Sequence, residues 1–453
     1  MSMNLTDRRA LVVGLGRSGE AAAHFLAARG AVVSATDTKS ETELGEAGAR
    51  LRTAGVRLEA GRHDRGLFLA QELIVVSPGV PWDLQPLVEA RAQGIEVIGE
   101  VELAGRFLQG RVIGITGANG KTTTTALIGH LLGRGGLETQ VGGNIGAPYP
   151  PLIAMVAAST PASWNVVELS SFQLESIRTF RAHIGVALNV TPDHLDRHGS
   201  FEAYAEAKGR LFSTQQPGDS AVLNADDPVC VGYGARTRGR RVWFSRTEPV
   251  PAGTSVTQGW IVFRQDGSET PLAEVGRLAI RGAHNLENAL AATAAAYLAG
   301  VAPEAIRAAL PEFQAVEHRL ELVRRVGGVD YYNDSKATNV DATRKALEAF
   351  PGNLWVILGG KDKGSDYTPL RRLLEAKART VLLIGAAADK IAAQVGDAAP
   401  LVAAGTLERA VAHAAANARS GDTVLLAPAC ASFDQFENYE HRGRVFKDLV
   451  ERL

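Results

Sequence analysis

Short runs of apolar residues recur along the chain, and many are followed by a glycine or polar turn and then by a helical pattern. The first run, RALVVGL at 9–15, precedes a helical pattern that extends to about residue 29, and VVSATDT follows at 32–38. A short apolar run bounded by turn residues is typical of a strand buried on both faces. Strands that alternate with helices predict a parallel sheet, which further runs at 73–79 and 96–100 extend.

The same pattern begins again near residues 111 and 330. The second segment opens with RVIGIT at 111–116 and a helix from 121 that ends at 133–136. Further strands are predicted at 164–170, 184–190, 221–225 and 241–245, short antiparallel strands within 250–282, and an alanine-rich helix at 283–300. The third segment has strand patterns at 330–334, 354–360, 380–386 and 422–428, so that three α/β units are predicted.

Composition limits the classes of protein and partner. A chain of 453 residues is too long for one ordinary core, and three domains agree with the pattern. The formal net charge of −1 gives no overall field that would attract nucleic acid or an anionic membrane. The two cysteines suit a reducing compartment and are expected to be small buried hydrophobes. Because neither a leader pattern nor an apolar run of about 20 residues occurs, we expect a cytoplasmic protein without a membrane span.

A glycine turn follows the first strand. Its sequence is GLGRSG at 14–19, and Asp37 ends the next strand, where a dinucleotide fold places its ribose-binding acid. The motif by itself suggests an NAD-dependent oxidoreductase, but any ligand with a diphosphate and a ribose fits it, including a UDP-sugar. A tight turn without a ligand is the third alternative.

A second glycine loop, Thr116 to Thr122 (TGANGKT), follows the strand that opens the second segment. It departs from the usual phosphate-loop spacing, because Ile115 stands five residues before Gly120. The strand–loop–helix context still favours phosphate binding by backbone N–H groups and the helix dipole. Lys121 would supply a cation to the β- and γ-phosphates and Thr122 a hydroxyl ligand for Mg²⁺. The alternative is a surface turn with a solvated lysine.

Three further residues suggest a metal-assisted reaction beside this loop. Glu168 lies late in an apolar strand and is a candidate Mg²⁺ ligand, with a salt bridge at the sheet edge as the alternative. His194 follows the next strand and is expected at the same edge of the sheet. Lys208 occupies the apolar stripe of the helix FEAYAEAKGRLF, where an unpaired charge is costly. Lys208 therefore either extends to solvent, or is modified, or faces a site rich in anions.

The last third of the chain offers polar loops after three strands. Asn285 and Asn288 share a helix face with His284 and could bracket a nucleotide or cap the helix. Arg319 could reach a phosphate. The loops at 333–339, 359–364 and 429–436 each follow a strand, and together they offer lysines, hydroxyls and helix N-termini, which suit a small dicarboxylate.

Taken together, these residues resemble the Mur ligase family of peptidoglycan synthesis along the whole chain. The motifs that carry the resemblance are TGANGKTT, ELSSFQLE, NVTPDHLDRH, the lysine of YAEAK, NADD, GAHNLENALAA, EHRLE, NDSKATN and ACASFDQFENYEHRG. The resemblance implies a Rossmann-like N-terminal domain that binds a UDP substrate (1–99), a P-loop-type central mononucleotide-binding domain that binds ATP (100–315), and a Rossmann-like C-terminal domain for the amino acid and the nucleotide edge (316–453).

The resemblance also implies roles for individual residues. On the ATP site it places Gly117, Ala118, Asn119, Gly120, Lys121, Thr122, Thr123, Asn285, Asn288, Arg319 and Asp334. On the Mg²⁺ sites it places Thr122, Glu168, His194 and a carbamylated Lys208, with Lys121, His194 and Lys208 as the catalytic set. On the UDP-substrate site it places Arg17, Ser18, Asp37, Thr38, Ser77, Gly79, Asn144 and Ser170. On the amino-acid site it places Lys336, Thr338, Lys363, Ser432 and Phe433.

Within the family, the N-terminal GLGRSG and the C-terminal signatures resemble the members that add D-glutamate to UDP-N-acetylmuramoyl-L-alanine. The implied reaction uses ATP and Mg²⁺ and passes through an acyl phosphate, and we expect a monomer. Some of those members carry an acid directly after the glycine pair that matches Gly359-Gly360, where this chain has Lys361. The alternatives are an NAD-dependent oxidoreductase, a protein that uses ATP as a switch, and a family member that adds a different amino acid.

Overall fold

Apolar runs of four to seven residues form strands in three separate sheets. The structure is a computed structural model, and it describes residues 3–146, 148–280, 282–313 and 317–453. The strands of the first sheet are β1 (Arg9–Val13), β2 (Val32–Asp37), β3 (Arg57–Ala60), β4 (Leu73–Val76) and β5 (Glu96–Gly99). They are all parallel, in the order β3-β2-β1-β4-β5. The strand order reverses between β1 and β4, so the turns that follow these two strands lie side by side.

The second sheet has nine strands. They are β6 (Arg111–Thr116), β7 (Thr139–Gly143), β8 (Trp164–Glu168), β9 (Ile184–Ala187), β10 (Ser220–Asn224), β11 (Arg240–Phe244), β12 (Gly253–Thr257), β13 (Trp260–Gln265) and β14 (Ser268–Glu274). Their order is β14-β13-β12-β11-β10-β9-β6-β8-β7. The predicted antiparallel strands are confirmed for β12 to β14, although β12 itself joins β11 in parallel. Because β6 lies between β8 and β9, the loops after these three strands meet at one edge.

The third sheet has six strands. They are β15 (Glu321–Val326), β16 (Val329–Asn333), β17 (Leu354–Gly359), β18 (Ala378–Ile384), β19 (Leu401–Gly405) and β20 (Thr423–Leu426). Their order is β15-β16-β20-β17-β18-β19, and only β15 is antiparallel to its neighbour among the described strands. The three polar loops predicted to follow strands come after β16, β17 and β20, which are neighbours in this order, so the loops meet at one edge of the sheet.

Helices connect most of the parallel strands. In the first two sheets they are α1 (Arg17–Ala27), α2 (Glu41–Thr53), α3 (Arg65–Leu69), α4 (Gln85–Ala92), α5 (Glu100–Gly105), α6 (Lys121–Arg134), α7 (Leu152–Met155), α8 (Ser171–Leu174), α9 (Leu195–His198), α10 (Phe201–Ser213) and α11 (Pro228–Tyr233). In the remaining chain they are α12 (Ala283–Leu298), α13 (Pro303–Ala309), α14 (Val340–Glu348), α15 (Arg371–Lys377), α16 (Ala388–Val395), α17 (Leu407–Asn417) and α18 (Tyr439–Glu451). The predicted α/β class is therefore confirmed.

The chain forms two compact units. The first unit contains Met1–Arg277 and Glu287–Leu310, and the second contains Leu278–Leu286 and Pro311–Leu453. Within the first unit, one apolar cluster continues from Leu5 under the first sheet to Tyr233 under the second. The predicted border between residues 99 and 100 falls where β5 ends and α5 begins. The predicted border between residues 315 and 316 lies outside the described residues.

The expectation that both cysteines are buried is also confirmed. Cys230 and Cys430 are both buried and unbridged. Among the described helices, none combines the length and the apolar character needed to cross a lipid bilayer.

Candidate functional site

The loop after β6 has a backbone that requires glycine. Gly117 and Gly120 have φ of 155° and 86°, and Gly120 caps α6 in the left-handed conformation. A Cβ atom on Gly120 would lie only 2.3 Å from Oδ1 of Asn288, which is buried against the loop. A side chain at Gly120 would therefore push the loop away from α12.

Asn189, two residues beyond β9, holds this loop in place through three hydrogen bonds. Its carbonyl oxygen accepts from the N–H of Ala118 at 2.8 Å, and its side chain pairs with both polar groups of the Asn119 backbone at 2.8 and 3.1 Å. The N–H groups of Ala118 and Asn119 are thereby used inside the protein. An anion would meet the first turn of α6, which includes Thr123 and where backbone N–H groups have no partner within the helix. The sequence reasoning did not select Asn189, although its place after a strand beside β6 was a usable signal.

Two lysines converge on the same carbonyl group. Lys121 Nζ donates to the carbonyl oxygens of Gly117 and Ala118 at 2.8 and 2.9 Å. Lys208 Nζ, from α10, donates to the Gly117 oxygen at 2.8 Å. Both cationic side chains therefore lie against the phosphate loop, and the predicted placement of Lys208 on the buried stripe of its helix is confirmed.

Lys208 lies in a setting that disfavours its charged form. The residue is 2% exposed, and its amine lies 4.6 Å above the ring of Tyr204. Burial lowers the pKa of Lys208 well below its ordinary value, and the charge of Lys121 lowers it further, although Asp193, Cys230 and Glu168 act in the opposite direction. A neutral amine is a nucleophile, so this site could accept a covalent modification.

Thr122 and Glu168 form a pair of oxygen ligands. Thr122 Oγ1 donates to Glu168 Oε2 at 2.8 Å, and Asn144 Nδ2 donates to Oε1 at 3.1 Å. Glu168 is 2% exposed at the end of β8. The hydroxyl and the buried carboxylate together offer hard oxygen ligands, the kind that Mg²⁺ prefers. The structure therefore brings together two residues predicted to hold Mg²⁺, Thr122 and Glu168, and adds Asn144, which was predicted for the UDP-substrate site.

His194 differs from these residues in exposure. Its side chain is 46% exposed, and its ring lies 4.9 Å from that of Phe172. Its backbone has a φ of 53°, a left-handed conformation that turns the chain sharply before α9. The neighbouring Asp193 is near enough to raise the pKa of Lys208. His194 can therefore reach a ligand from the solvent side, while Glu168 approaches from the core.

The glycine turn after β1 is tightly packed on the turn after β4. Ser77 Oγ donates to the Gly14 carbonyl at 2.6 Å, and a Cβ on Gly19 would lie 1.9 Å from the same oxygen. Asp37 accepts from the N–H groups of Leu15 at 2.6 Å and of Lys39 at 2.9 Å. The Asp37 carboxylate therefore holds the turn in shape, and Thr38 is exposed beside it.

Arginines connect the two sheets of the first unit near this turn. Arg17, which precedes Ser18 in the first turn of α1, donates to the carbonyl oxygen of Tyr149 at 2.8 Å. Arg197 of α9 donates to the carbonyl oxygens of Gly79 and Val80 at 3.5 and 2.8 Å. On the same side, Ser170 caps α8. Arg17 and Gly79, which were predicted for the UDP substrate, are thus hydrogen-bonded to the part of the chain that carries the phosphate loop.

The second unit contains polar atoms that are buried without a partner. Within the described chain, Asp334 Oδ1, Arg319 Nε and Ser432 Oγ make no hydrogen bond. Burial raises the pKa of Asp334 to about 6, and the nearby Arg319 only partly offsets this effect. Because unpaired buried polar atoms cost about 1–3 kcal/mol each, their presence at positions predicted to bind ligands fits a site that a ligand completes.

The other predicted residues of the second unit lie on the three gathered loops. Lys336 Nζ lies 5.3 Å from the ring of Tyr439, and Thr338 precedes the Asn339 cap of α14. Lys363 is exposed, and Phe433 is 66% exposed. Asn285 belongs to this unit, beside His284, whose pKa burial lowers to about 4.

A fully buried arginine holds two of these loops together. Arg442 donates to the hydroxyl and the carbonyl oxygen of Ser335 at 2.9 and 2.7 Å, and to the carbonyl oxygen of Cys430 at 3.2 Å. Sequence reasoning missed Arg442, because an arginine in an amphipathic helix ordinarily faces solvent.

One acidic cluster is better explained without a metal. Glu317, His318 and Glu321 have ligand atoms within 4.8 Å of one another. Lys447 Nζ, however, lies 2.9 Å from Glu317 and 2.6 Å from Glu321. The lysine supplies the positive charge that these carboxylates need, so the cluster is a structural ion pair.

Comparison with known families gives one match for each sheet. The Mur ligase MurD-like N-terminal domain matches residues 8–99, the Mur ligase middle domain 115–296, and the Mur ligase glutamate ligase domain 318–430.

Several curated relatives match over their full length. A protein of Solibacter usitatus named UDP-N-acetylmuramoylalanine--D-glutamate ligase is 60% identical over 451 residues, which cover 100% of this chain and 99% of the relative. Proteins with the same name from Acidobacterium capsulatum and Myxococcus xanthus are 54% and 46% identical, covering 99% and 100% of this chain and 97% and 100% of the relatives.

Solved structures add support for the fold alone. A pseudomurein peptide ligase type C from Methanothermus fervidus has a TM-score of 0.61 at 22% identity, and UDP-N-acetylmuramate-alanine ligase MurC from Thermotoga maritima has 0.60 at 20%. Each comparison covers 98% of this chain and 99% of the other. With three family domains in order and full-length relatives, the chain belongs to the Mur ligase family and has its three-domain α/β fold.

Proposed function

We propose that this protein is an ATP-dependent ligase that joins D-glutamate to UDP-N-acetylmuramoyl-L-alanine in peptidoglycan synthesis. The observation that carries the proposal is the shared name of relatives that match the whole chain at up to 60% identity. The reaction passes through an acyl phosphate and yields ADP and phosphate. The geometry of the phosphate loop and of the second unit supports this chemistry independently.

In the first unit, the phosphate loop and α6 hold the triphosphate of ATP. The γ-phosphate passes to the carboxylate of the UDP substrate, and negative charge spreads over its oxygens. Lys121 neutralises that charge, because its amine already lies over the loop at 2.8 Å from the Gly117 oxygen. Thr122, Glu168 and His194 would hold Mg²⁺. A bound Mg²⁺ would supply further positive charge to the transferring phosphoryl group.

Lys208 has a separate part in this proposal. Its depressed pKa favours the neutral amine that CO₂ requires, and the nitrogen would form a bond to the CO₂ carbon and release one proton. The product is an anionic carbamate, which is a suitable oxygen ligand for Mg²⁺, whereas an ammonium group is not. This change would place an anion beside the cation of Lys121, where a second ammonium group would be repelled.

The second unit holds the amino acid and part of the nucleotide. Lys336 and Lys363 offer cations, and Thr338 and Ser432 offer hydroxyls, which together suit the two carboxylates of D-glutamate. Asn285, Arg319 and Asp334 would contact the nucleotide. The amine of D-glutamate attacks the acyl carbon, and the tetrahedral intermediate collapses with loss of phosphate.

Phosphate release tests the proposal directly. The protein is incubated with ATP, Mg²⁺ and UDP-N-acetylmuramoyl-L-alanine, and release is measured with D-glutamate, L-glutamate, L-alanine or a diamino acid. We expect D-glutamate alone to stimulate release, together with a product heavier by one glutamyl residue in mass spectrometry. Equal release with every amino acid would rule out the proposed acceptor, and release without any acceptor would indicate an ATP switch.

A further inference from the structure

The loop at 361–365 is fixed by a buried tyrosine. Tyr367 is fully buried, and its hydroxyl oxygen lies 2.8 Å from Asp362 Oδ1 and 3.0 Å from Cys430 Sγ. A tyrosine hydroxyl has one proton, and an ionised carboxylate only accepts. Tyr367 therefore donates to Asp362, and the thiol of Cys430 donates to the tyrosine oxygen.

Asp362 is also the centre of a charged group. Its Oδ2 accepts from Lys390 Nζ at 2.7 Å, and its Oδ1 accepts from the N–H of Ser365 at 3.2 Å. Burial raises the pKa of Asp362, but the bonds from Lys390, Tyr367 and Ser365 outweigh it and hold the pKa at about 2. Lys390 is thus paired with a carboxylate of the protein, and the charge of Lys363 remains directed to solvent.

Backbone hydrogen bonds also connect this loop to the loop after β20. Lys361 and Ala431 exchange two backbone hydrogen bonds at 2.8 and 3.2 Å. Cys430 and Ser432 flank Ala431 in the chain. The contacts of Tyr367 and of Lys361 therefore fasten the loop that carries Lys363 to the loop that carries Ser432.

We propose that Tyr367, Asp362 and Lys390 are positioning residues that fix the separation of Lys363 and Ser432 and so select an amino-acid acceptor whose two carboxylates are a set distance apart. This inference rests on the proposed function, since it concerns the acceptor of that reaction. None of the three residues touches the acceptor. A fixed separation favours D-glutamate over its shorter homologue D-aspartate, because a loose pair of loops adapts to either length.

The test compares Michaelis constants in the full-length protein. Tyr367→Phe removes the bonds to Asp362 and Cys430 while it keeps the ring in the core, and Lys390→Met removes the charge that fixes Asp362. We expect each variant to raise the KM for D-glutamate by about fivefold or more, as the loss of one or two positioning hydrogen bonds predicts. The KM for ATP should stay within about twofold, and the preference for D-glutamate over D-aspartate should fall by a similar factor.

The control breaks an ion pair of the same unit away from the loops. Asp330→Asn removes the partner of Arg325 on β15, and all KM values should remain at the wild-type level. Loss of stability alone would leave the KM of the folded fraction unchanged. An unchanged KM for D-glutamate in both variants, or an equal rise in the KM for ATP, would overturn the inference. If the wild type itself shows no dependence on D-glutamate, the proposed function fails instead.

Discussion

Lys208 Nζ lies 2.8 Å from the carbonyl oxygen of Gly117, so a side chain buried in α10 is hydrogen-bonded to the first glycine of the phosphate loop. The same oxygen accepts from Lys121 at 2.8 Å. Two ammonium groups beside one carbonyl oxygen, in a buried setting, repel each other. This relationship favours a neutral or modified Lys208, with Lys121 as the cation of the pair.

Replacement of Lys208 tests this division of roles. We expect Lys208→Ala to lower kcat by about 10- to 100-fold, because the anion that completes the Mg²⁺ site would be lost. Short carboxylates such as acetate should restore part of the activity, since they fit the space left by the side chain. Steady-state phosphate release with and without acetate measures both effects.

Lys377→Ala is the matched control for that variant. Lys377 also donates its amine to backbone carbonyls, those of Leu347, Glu348 and Phe350, but away from every candidate site residue. It should retain activity and show no response to acetate. Wild-type activity in Lys208→Ala would remove the case for a carbamate.

The Thr122 hydroxyl provides a second prediction. Its donor bond to Glu168 at 2.8 Å places it where Mg²⁺ would bind, so Thr122→Val should lower kcat by about 10- to 100-fold and raise the Mg²⁺ concentration required. Thr122→Ser keeps the hydroxyl and should keep most activity. Titration of phosphate release with Mg²⁺ distinguishes these outcomes.

Thr293→Val serves as the control. Thr293 is equally buried, and among the described residues its hydroxyl bonds to two carbonyl oxygens of its own helix, those of Ala289 and Leu290. Its Mg²⁺ dependence should equal that of the wild type. If Thr122→Val shows the same Mg²⁺ curve as Thr293→Val, Thr122 does not hold the ion.

The parts of the fold that sequence reasoning missed share one property. The unpredicted strands are β3, β7, β15 and β19, and each lies at an edge of its sheet. Their residues are largely half-exposed or exposed, whereas β4, β8 and β17 are buried throughout. A strand covered on only one side needs no continuous apolar run, so the pattern that identifies central strands is absent there.

The candidate site likewise contains residues that the sequence reveals and residues that it does not. Lys121, Thr122 and Glu168 stand out locally, because a glycine loop or an acid in an apolar strand is visible in the sequence. The residues that hold the site in shape were missed, because their partners are distant in sequence. Arg442 is hydrogen-bonded to Ser335, although 107 positions separate them in the sequence. Tyr367 is likewise hydrogen-bonded to Cys430 across a separation of 63 positions. Only the folded chain brings such pairs together.

A pair of serines separates ligand binding from stability. Ser432 Oγ has no partner among the described residues, whereas Ser335 Oγ donates to the Tyr439 carbonyl at 2.8 Å and accepts from Arg442 at 2.9 Å. Ser432→Ala should raise the KM for D-glutamate by about fivefold and leave Tm nearly unchanged. Ser335→Ala should instead lower Tm by about 2–4 °C. Michaelis constants and calorimetry on both variants provide the check, and a clear loss of Tm in Ser432→Ala would contradict a ligand role.

Glu100, the first residue of α5, makes stability depend on pH. It is 1% exposed, its Oε1 accepts from the N–H of Ile153 at 2.8 Å, and its Oε2 has no partner in the described chain. Burial raises its pKa from 4.5 to about 7, against the smaller effect of the hydrogen bond from Ile153. Between these two values the folded protein binds more protons than the unfolded chain. The free energy of unfolding should therefore fall as pH rises, by up to about 3 kcal/mol, and level off above the folded pKa.

Glu100→Gln removes this dependence, because the amide stays uncharged and keeps an oxygen for the Ile153 N–H. Its Tm should exceed that of the wild type at about pH 8 and approach it at about pH 5.

Glu102, on the same helix, is the matched control, since it is equally buried. Burial raises its pKa too, but bonds from Arg178, Thr179 and Phe180 outweigh that effect and lower the pKa below its ordinary value. Glu102→Gln should therefore destabilise the protein at neutral pH. Parallel Tm curves for Glu100→Gln and the wild type across this range would show that Glu100 is already ionised in the folded protein.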